Sequence, residues 1–240
     1  MATQGNRPPD VRVRAWRSGC FRDPVVTAAS VPVLSVAERA TCARLPAGGA
    51  RADYLAAHLL MRTMLADLTR DDPARIRFRR ARGGRPRVVG PAAARGLRFS
   101  LSRADGIVLC AVAEAAVGAD VESARRVGAD PLAVAETCCG EPELEALRAL
   151  PPGRRVARLL DLWTLKEAIA KAIGPGVRLP LARIVCRLDG DRPAVVFRDA
   201  AEAARWQLVS FRIPPHHVAA VAVRRGPRSG QHVDPGVEAA

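Results

Sequence analysis

The apolar positions between residues 159 and 173 recur at the period of a helix and predict one with a wide buried stripe. Glu167 and Lys171 are four residues apart, so their side chains are neighbours on the surface of this helix. Gly174 and Pro175 predict its end, because glycine suits a left-handed cap and proline cannot continue a helix. The buried stripe consists of Leu159, Leu162, Trp163, Ile169, Ala172 and Ile173.

Over residues 117–122, apolar side chains alternate with glycine or acidic residues, which predicts a strand. Val117, Ala119 and Val121 share one face. Asp120 and Glu122 lie on the other face, about 6.6 Å apart along the strand. Similar patterns predict strands at residues 11–16, 76–78, 97–101, 107–113, 183–188, 194–197, 206–211 and 218–223.

Other segments have helical patterns or turn residues. Ser35 and Glu38 have the spacing of a capping box and predict a helix over residues 36–44. Further helices are predicted at residues 51–68, 131–139 and 142–150, and turns at 81–86, 102–106, 189–190 and 214–215.

The order of these elements predicts an α+β protein. A helix and a set of strands occur before about residue 116 and occur again after it, which suggests two similar α+β halves at residues 11–116 and 117–224. Residues 1–10 and 225–240 are polar or rich in proline and glycine, and are predicted to be disordered tails.

The charge of the chain narrows the choice of partners. A formal net charge of +14 favours an acidic partner: nucleic acid, an anionic membrane, a phosphorylated ligand or an acidic protein. Aromatic residues make up only 4% of the chain, too few for base-stacking platforms spread over a surface. Lysine occurs only at Lys166 and Lys171, and both lie near Glu167, although arginine supplies the other basic residues.

The six cysteines contain no C-x-x-C pair, so neither zinc spacing nor a secreted disulfide framework is visible. Reduced thiols and a cytoplasmic location are therefore expected. The first ten residues have no apolar signal region, and no apolar run approaches the length of a membrane span, about 18 residues.

Three carboxylates are candidate metal ligands. Asp120 and Glu122 share a strand face and Glu167 lies on the central helix, and Mg²⁺ prefers such hard oxygen ligands. The alternative is that all three are solvated charges. Ser102 and Arg103, in the predicted turn at 102–106, have the chemistry to bind a phosphate, and the alternative is a plain hairpin turn with an exposed arginine.

Other kinds of catalysis have little support in the sequence. The four histidines have no metal-ligand spacing, and His216 and His217 are expected in an exposed turn. No serine lies in a nucleophile elbow, so neither covalent nor zinc chemistry is favoured.

Four motifs together resemble the 4′-phosphopantetheinyl transferase superfamily, and its two-half, surfactin-synthetase-activator type in particular. In order they are G-R-P at 84–86, F-S-L-S-R at 99–103, V-G-A-D-V-E at 117–122 and L-W-T-L-K-E-A-I-A-K-A-I-G at 162–174. The likeness extends from about residue 30 to 223, and the last two motifs are the diagnostic ones. It implies a pseudo-dimer of the two halves, with coenzyme A and the active site in the cleft between them.

The resemblance also implies roles for individual residues. Asp120, Glu122 and Glu167 would hold Mg²⁺, and Glu167 and Lys171 would be catalytic. The residues expected to bind coenzyme A are Arg51, Arg85, Ser102, Arg103, Lys166 and Lys171. This sequence departs from the family pattern where Ser100 replaces an asparagine, Arg103 a histidine and Arg85 a lysine.

The reaction implied by the resemblance is Mg²⁺-dependent transfer of the 4′-phosphopantetheine arm from coenzyme A to a serine of an apo acyl or peptidyl carrier protein, which releases 3′,5′-ADP. The carrier is expected to be acidic, from fatty acid, polyketide or nonribosomal peptide synthesis, and the enzyme monomeric. Two alternatives remain at this point: a basic nucleic-acid-binding protein, and a metal-dependent phosphodiesterase that uses the same carboxylates on nucleotides.

Overall fold

The computed structural model describes residues 11–80, 86–174, 180–188, 193–196 and 200–226. These residues form an α+β fold in which helices pack on antiparallel sheets. Within them, no helix combines the length and the apolar character needed to cross a membrane. All six cysteines are free thiols.

The first half of the chain forms a sheet covered by a long helix. Its main sheet has the antiparallel order β1-β5-β4, and β2 and β3 form a separate hairpin. Apolar residues of α3, such as Leu60 and Met64, pack on Val108 and Cys110 of β5. The elements are β1 (Arg12–Arg17), α1 (Pro24–Ser30), α2 (Val36–Arg44), α3 (Gly49–Thr69), β2 (Arg77–Arg80), β3 (Pro86–Gly90), β4 (Arg98–Ala104) and β5 (Ile107–Ala113).

The second half repeats the arrangement of a long helix on a three-stranded sheet. The sheet has the order β6-β10-β9, and the helix α6 packs on it through Leu165 and Ile169. The elements are β6 (Ala116–Ser123), α4 (Pro131–Glu136), α5 (Glu141–Ala149), α6 (Pro152–Ile173), β7 (Val185–Arg187), β8 (Ala194–Val196), α7 (Ala200–Ala203), β9 (Trp206–Ile213) and β10 (His217–Arg224).

A shared apolar layer joins the two sheets. Strand β5 is apolar at every position because one face packs on α3 and the other, with Leu109 and Ala111, packs on the second sheet. Strand β10 is also covered on both faces, because Ala220 faces α6 while Ala219 and Val221 face the first sheet. The two halves therefore share one central core.

Most predicted elements are present, with shifted ends. Ser35 caps α2 in the predicted capping box, and α6 begins at Pro152, well before the apolar stripe. The sequence pattern missed α1, β3 and α7. The predicted disordered segments at 1–10 and 225–240 lie outside the described residues except for Arg225 and Gly226, and Arg225 donates its amide to the carbonyl of Arg205. The turn at 189–190, positions 81–85 of the basic turn and Pro175 also lie outside them.

A buried charge network ties α2 to α3 in the first half. The guanidinium of Arg62, which is 1% exposed, donates to Glu38 Oε2 over 2.6 and 3.0 Å and to the carbonyl of Ile76 over 2.9 Å. His58 Nδ1 lies 2.9 Å from Glu38 Oε1. Burial alone would raise the pKa of Glu38, but the hydrogen bonds from His58, Arg62 and Ser35 outweigh it and lower the pKa to about 2.

We expect this network to make the fold sensitive to acid. Because the pKa of Glu38 is lower in the folded chain than in the unfolded chain, its ionised carboxylate stabilises the fold. This stabilisation is fully present above about pH 4.5 and is lost as the pH falls towards 2. Over this pH window, the unfolding free energy measured by chemical denaturation should fall by about 2–3 kcal/mol more in the wild type than in Glu38→Gln. Parallel pH curves for the two proteins would contradict this assignment.

Candidate active site

Strand β6 presents its polar side chains to helix α6. Val117, Ala119 and Val121 are buried in the layer between the sheets, so the alternate positions face the helix. The prediction that Asp120 and Glu122 share a face is confirmed by this strand.

Gly118 allows helix and strand to approach closely at this point. A Cβ atom on Gly118 would lie 1.8 Å from the carbonyl oxygen of Ala168 and 2.7 Å from the amide nitrogen of Ala172. Both atoms belong to the backbone and cannot move aside as a side chain would. The approach brings Lys171, and Glu167 just before Ala168, close to Asp120 on the polar face of β6.

Gly118→Ala is therefore expected to push α6 away from β6. Overpacking of this kind costs about 1–3 kcal/mol, and more where backbone must move. Thermal and chemical denaturation of the variant measure the loss. Gly153→Ala, in the first turn of the same helix, is the matched control because a Cβ there meets nothing within 4 Å. Equal stability of the two variants would show that the close approach is not needed.

The centre of the site is a hydrogen-bonded trio from three elements. Asp120 Oδ1 accepts from Lys171 Nζ over 2.6 Å and from Ser102 Oγ over 2.7 Å. Lys171 Nζ also donates to Ser102 Oγ over 3.1 Å and to the carbonyl of Ala119 over 3.2 Å. Asp120 is 3% exposed, and its Oδ2 is buried without a hydrogen-bond partner among the described residues.

Both halves of the protein contribute to this trio. Ser102 lies on β4 of the first half, whereas Asp120 and Lys171 lie on β6 and α6 of the second. Beside it, Ser100 Oγ accepts from the backbone amide of Ala119 over 3.0 Å, a second link between β4 and β6. The trio therefore exists only where the halves are packed together.

The two glutamates near the trio share its electrostatic environment. Burial and the charge of Asp120 raise the pKa of Glu122 to about 7, although Arg126 and Lys171 oppose the shift. Burial and Asp120 also raise the pKa of Glu167, again against Lys171. Three carboxylates thus lie close enough to repel one another. The sequence patterns missed Arg126, whose charge opposes the rise in the pKa of Glu122. The only signal for it in the sequence is its position just after the D-x-E strand.

The chemistry of this cluster suits a divalent cation. Within the described part of the chain, no three acidic, histidine or cysteine side chains are arranged to hold a metal ion as they stand. However, the buried Oδ2 of Asp120 lacks a partner there, and the donor set of three carboxylates is the one that Mg²⁺ prefers. The mutual repulsion shown by the raised pKa values of the glutamates is relieved by a cation.

Lys166 is not placed where the sequence led us to expect it. Its side chain is 0% exposed, and its ammonium donates to the carboxylate of Glu143 and to the carbonyl of Cys138, the latter over 2.8 Å. Glu143 in turn accepts from the amides of Gly140 and Cys186. Lys166 therefore joins α6 to α5 in the interior, and the expectation that it lies beside the phosphates of a ligand is wrong.

The three arginines of the first half that are expected to bind coenzyme A do not share one location. Arg103 is exposed on β4, one residue beyond Ser102, and its charge partly offsets the burial that raises the pKa of Tyr54. Arg51 donates to the carbonyls of Leu45 and Ala43, where α2 ends, so its hydrogen bonds do not join it to the carboxylates. Arg85 lies outside the described residues.

His217 corrects another expectation. It was predicted in an exposed turn together with His216, but it begins β10 and is 6% exposed. Its Nε2 lies 3.1 Å from the carbonyl of Ala104, and burial lowers its pKa. His216 is exposed as predicted.

Comparison with known proteins identifies relatives of this chain. Residues 116–222 match the 4′-phosphopantetheinyl transferase superfamily. The 4′-phosphopantetheinyl transferase HetI of a Nostoc species is 30% identical over 174 residues, which cover 72% of this chain and 71% of that protein. The 4′-phosphopantetheinyl transferase psf-1 of Bacillus pumilus is 31% identical over 136 residues, 57% of this chain and 56% of that relative.

One solved structure, holo-[acyl-carrier-protein] synthase from Thermotoga maritima, aligns with a TM-score of 0.38 at 24% identity and covers 47% of this chain and 64% of that one. The alignments with the relatives extend over about half to seven-tenths of their length. The chain belongs to the 4′-phosphopantetheinyl transferase superfamily, and its relatives include enzymes of the surfactin-activator type.

Proposed function

We propose that the protein transfers the 4′-phosphopantetheine arm of coenzyme A to a serine of an apo acyl or peptidyl carrier protein and releases 3′,5′-ADP. The observation that carries the proposal is the trio of Ser102, Asp120 and Lys171, assembled from both halves beside Glu122 and Glu167. These residues belong to the motifs by which the sequence resembles the family.

In this proposal the two halves, residues 11–116 and 117–224, form a pseudo-dimer, and coenzyme A lies in the cleft between them. Support comes from the repeated arrangement of a long helix on a three-stranded sheet and from the composition of the trio. Ser102 and Arg103 would approach the ligand from the first half. A chain that contains both halves would act as a monomer.

Asp120, Glu122 and Glu167 are the residues that would hold Mg²⁺. When bound, the cation would supply positive charge to the pyrophosphate oxygens of coenzyme A. Because the three carboxylates do not already converge, the glutamate side chains must move towards Asp120 for binding. The raised pKa of Glu122, about 7, implies that a cation competes with a proton for this carboxylate near neutral pH.

The remaining residues have separate tasks. Lys171, held in place by Asp120 and the carbonyl of Ala119, would stabilise charge that grows on the pyrophosphate. Glu167, with a raised pKa, is suited to accept the proton of the carrier serine hydroxyl. The serine oxygen forms a bond to the β-phosphorus of coenzyme A while the bond to the leaving 3′,5′-ADP breaks.

The charge of the chain suits an acidic carrier protein as partner. A net charge of +14 attracts such a partner over a distance and raises the rate of encounter at low ionic strength. This contribution should weaken as salt is added.

Intact mass spectrometry tests the proposal directly. The purified protein is incubated with coenzyme A, Mg²⁺ and a panel of apo carriers from fatty acid, polyketide and nonribosomal peptide synthesis. A carrier should gain the mass of one phosphopantetheine arm, and its serine-to-alanine variant should gain none. Consumption of coenzyme A without any carrier would instead support a phosphodiesterase, and no gain on any carrier would refute the proposed transfer.

Arg103 carries a separate prediction, since it replaces the histidine of the family. An exposed arginine that is always charged should bind the 3′-phosphate of coenzyme A at any pH between 6 and 8. The wild type should prefer coenzyme A over 3′-dephospho-coenzyme A by tenfold or more, about 1.4 kcal/mol. Arg103→Ala should lose most of this preference in KM and keep its maximal rate.

Arg154→Ala is the charge-matched control, because Arg154 is exposed in the first turn of α6. It should discriminate between the two forms of coenzyme A as the wild type does. If Arg103→Ala also discriminates fully, other residues bind the 3′-phosphate.

A further inference from the structure

A cavity of about 880 Å³ lies where the two sheets meet, apart from the carboxylate cluster. Its volume is within the usual range of small-molecule sites. Part of the lining is apolar, with Leu68, Leu97, Val112 and Ile173 among its residues. Five of its fifteen lining residues are arginines, a third of the lining, whereas arginine supplies 36 of the 240 residues of the chain. The lining is thus about twice as rich in arginine as the whole chain.

The register of both sheets brings the arginines together. Arg12 begins β1 and Arg98 begins β4, and they pair with Val112 and Ala113 at the end of β5. In the second sheet, Arg224 ends β10 opposite Ala116 and Trp206, the first residues of β6 and β9. Arg205 and Arg225 lie next to these strand ends along the chain. Residues far apart in sequence thus surround one cavity.

Among the described residues, the positive charge around the cavity is only partly compensated. Glu202 accepts from both Arg205 and Arg224, over 2.7 to 3.1 Å, so one carboxylate serves two guanidinium groups. Glu114 supplies one more negative charge to the lining. Nε of Arg225 is buried, and the described residues offer it no hydrogen-bond partner. Repulsion among five guanidinium groups favours an anion in this cavity.

The cavity is distinct from the carboxylate cluster. Arg98 and Ser102 are four residues apart on β4, a separation of about 13 Å along the strand. Leu68 lies near the end of α3, whereas Tyr54, which senses the charge of Arg103, lies near its beginning. Helix α6 is the element that reaches both places. In its last turn, Lys171 contacts Asp120, whereas Ala172 and Ile173 line the cavity.

We propose that this cavity binds a small phosphate monoester that carries an apolar substituent. Guanidinium groups bind phosphate through two parallel hydrogen bonds, which favours a phosphate head group beside the lining arginines. The leucine, valine and isoleucine side chains of the lining offer contacts to an apolar substituent of a few carbon atoms. This site lies outside the machinery of the proposed transfer and requires neither coenzyme A nor a carrier.

Isothermal titration of the full chain with hexyl phosphate, inorganic phosphate and 1-hexanol tests the proposal. Hexyl phosphate should bind at least tenfold more tightly than either of the other probes, because only it offers both a phosphate to the arginines and an alkyl chain to the apolar lining residues. Arg98→Ala should weaken its binding by about tenfold or more, the effect of one lost charge-assisted hydrogen bond. Arg98→Lys should recover part of the affinity, and Arg154→Ala should bind as the wild type does.

Two results would overturn the proposal. The first is equal affinity of Arg98→Ala and Arg154→Ala for hexyl phosphate, with thermal melting showing that both are folded, because general charge would then explain binding. The second is displacement of hexyl phosphate by coenzyme A and Mg²⁺, which would place the probe in the substrate site. Binding of coenzyme A, measured separately, shows whether the proposed transferase site functions, so the two proposals can fail independently.

Discussion

Asp120→Asn is expected to lower kcat of the proposed transfer by about 10²–10³-fold, the effect of losing one preorganised charged group in comparable sites. The substitution keeps the shape of the side chain but removes its charge. Lys171 then loses its 2.6 Å ion pair, and the buried Oδ2 position no longer offers a carboxylate oxygen to a cation. Steady-state kinetics with coenzyme A, Mg²⁺ and an apo carrier measure the change.

Asp161→Asn is the matched control for this prediction. Asp161 also lies in α6 and also pairs with a basic residue, Arg212, but it faces β9 rather than the carboxylate cluster. It should retain the turnover of the wild type. Combining Asp120→Asn with Lys171→Met should cost much less than the sum of the two single losses, because the residues act as one unit. Wild-type turnover of folded Asp120→Asn would place the reaction elsewhere.

Lys166→Met should destabilise the fold rather than weaken coenzyme A binding. Removal of one partner from a buried ion pair costs about 3–5 kcal/mol, because the other charge is left uncompensated. Here Glu143 would lose its ammonium partner, and Tm should fall by about 10 °C for a chain of this size. Differential scanning calorimetry measures the shift, and KM for coenzyme A should stay within twofold of the wild type.

Two further variants test the cause of this loss. Lys166→Met combined with Glu143→Gln should recover part of the stability, because a neutral amide still accepts from the amides of Gly140 and Cys186. Arg148→Met removes an exposed pair with Glu141 and should cost less than about 1 kcal/mol. A stable Lys166→Met protein with a raised KM would instead return Lys166 to the ligand site.

Local patterns predicted much of the fold. The capping box of Ser35 and Glu38 and the alternation of β6 depend on neighbours along the chain, and both are present in the structure. The patterns could not show that β5 is covered on both faces, because its seven apolar residues give no indication of what packs against each side. Helix α1 and strand β3 were missed because they are short and have weak periodicity.

The site was predictable in its residue types but not in its contacts. The motifs indicated Ser102, Asp120 and Lys171 separately, whereas their mutual hydrogen bonds depend on the packing of β4, β6 and α6. The resemblance to the family implies that Lys166 binds the ligand. Its position three residues before Ile169 and four after Leu162 places it within the apolar stripe, which is a signal of burial.

The apolar layer between the sheets limits how the two halves can move relative to each other. Leu109 of β5 and Val221 of β10 belong to the same buried cluster, so drawing the halves apart would expose apolar surface on both sheets at once. A hinge motion between the halves is therefore disfavoured, and we expect Ser102 to stay beside Asp120. The fold acts as a rigid frame in which the groups of the proposed site are preorganised, and in the proposed transfer any gating of substrate entry would come from loops outside this layer.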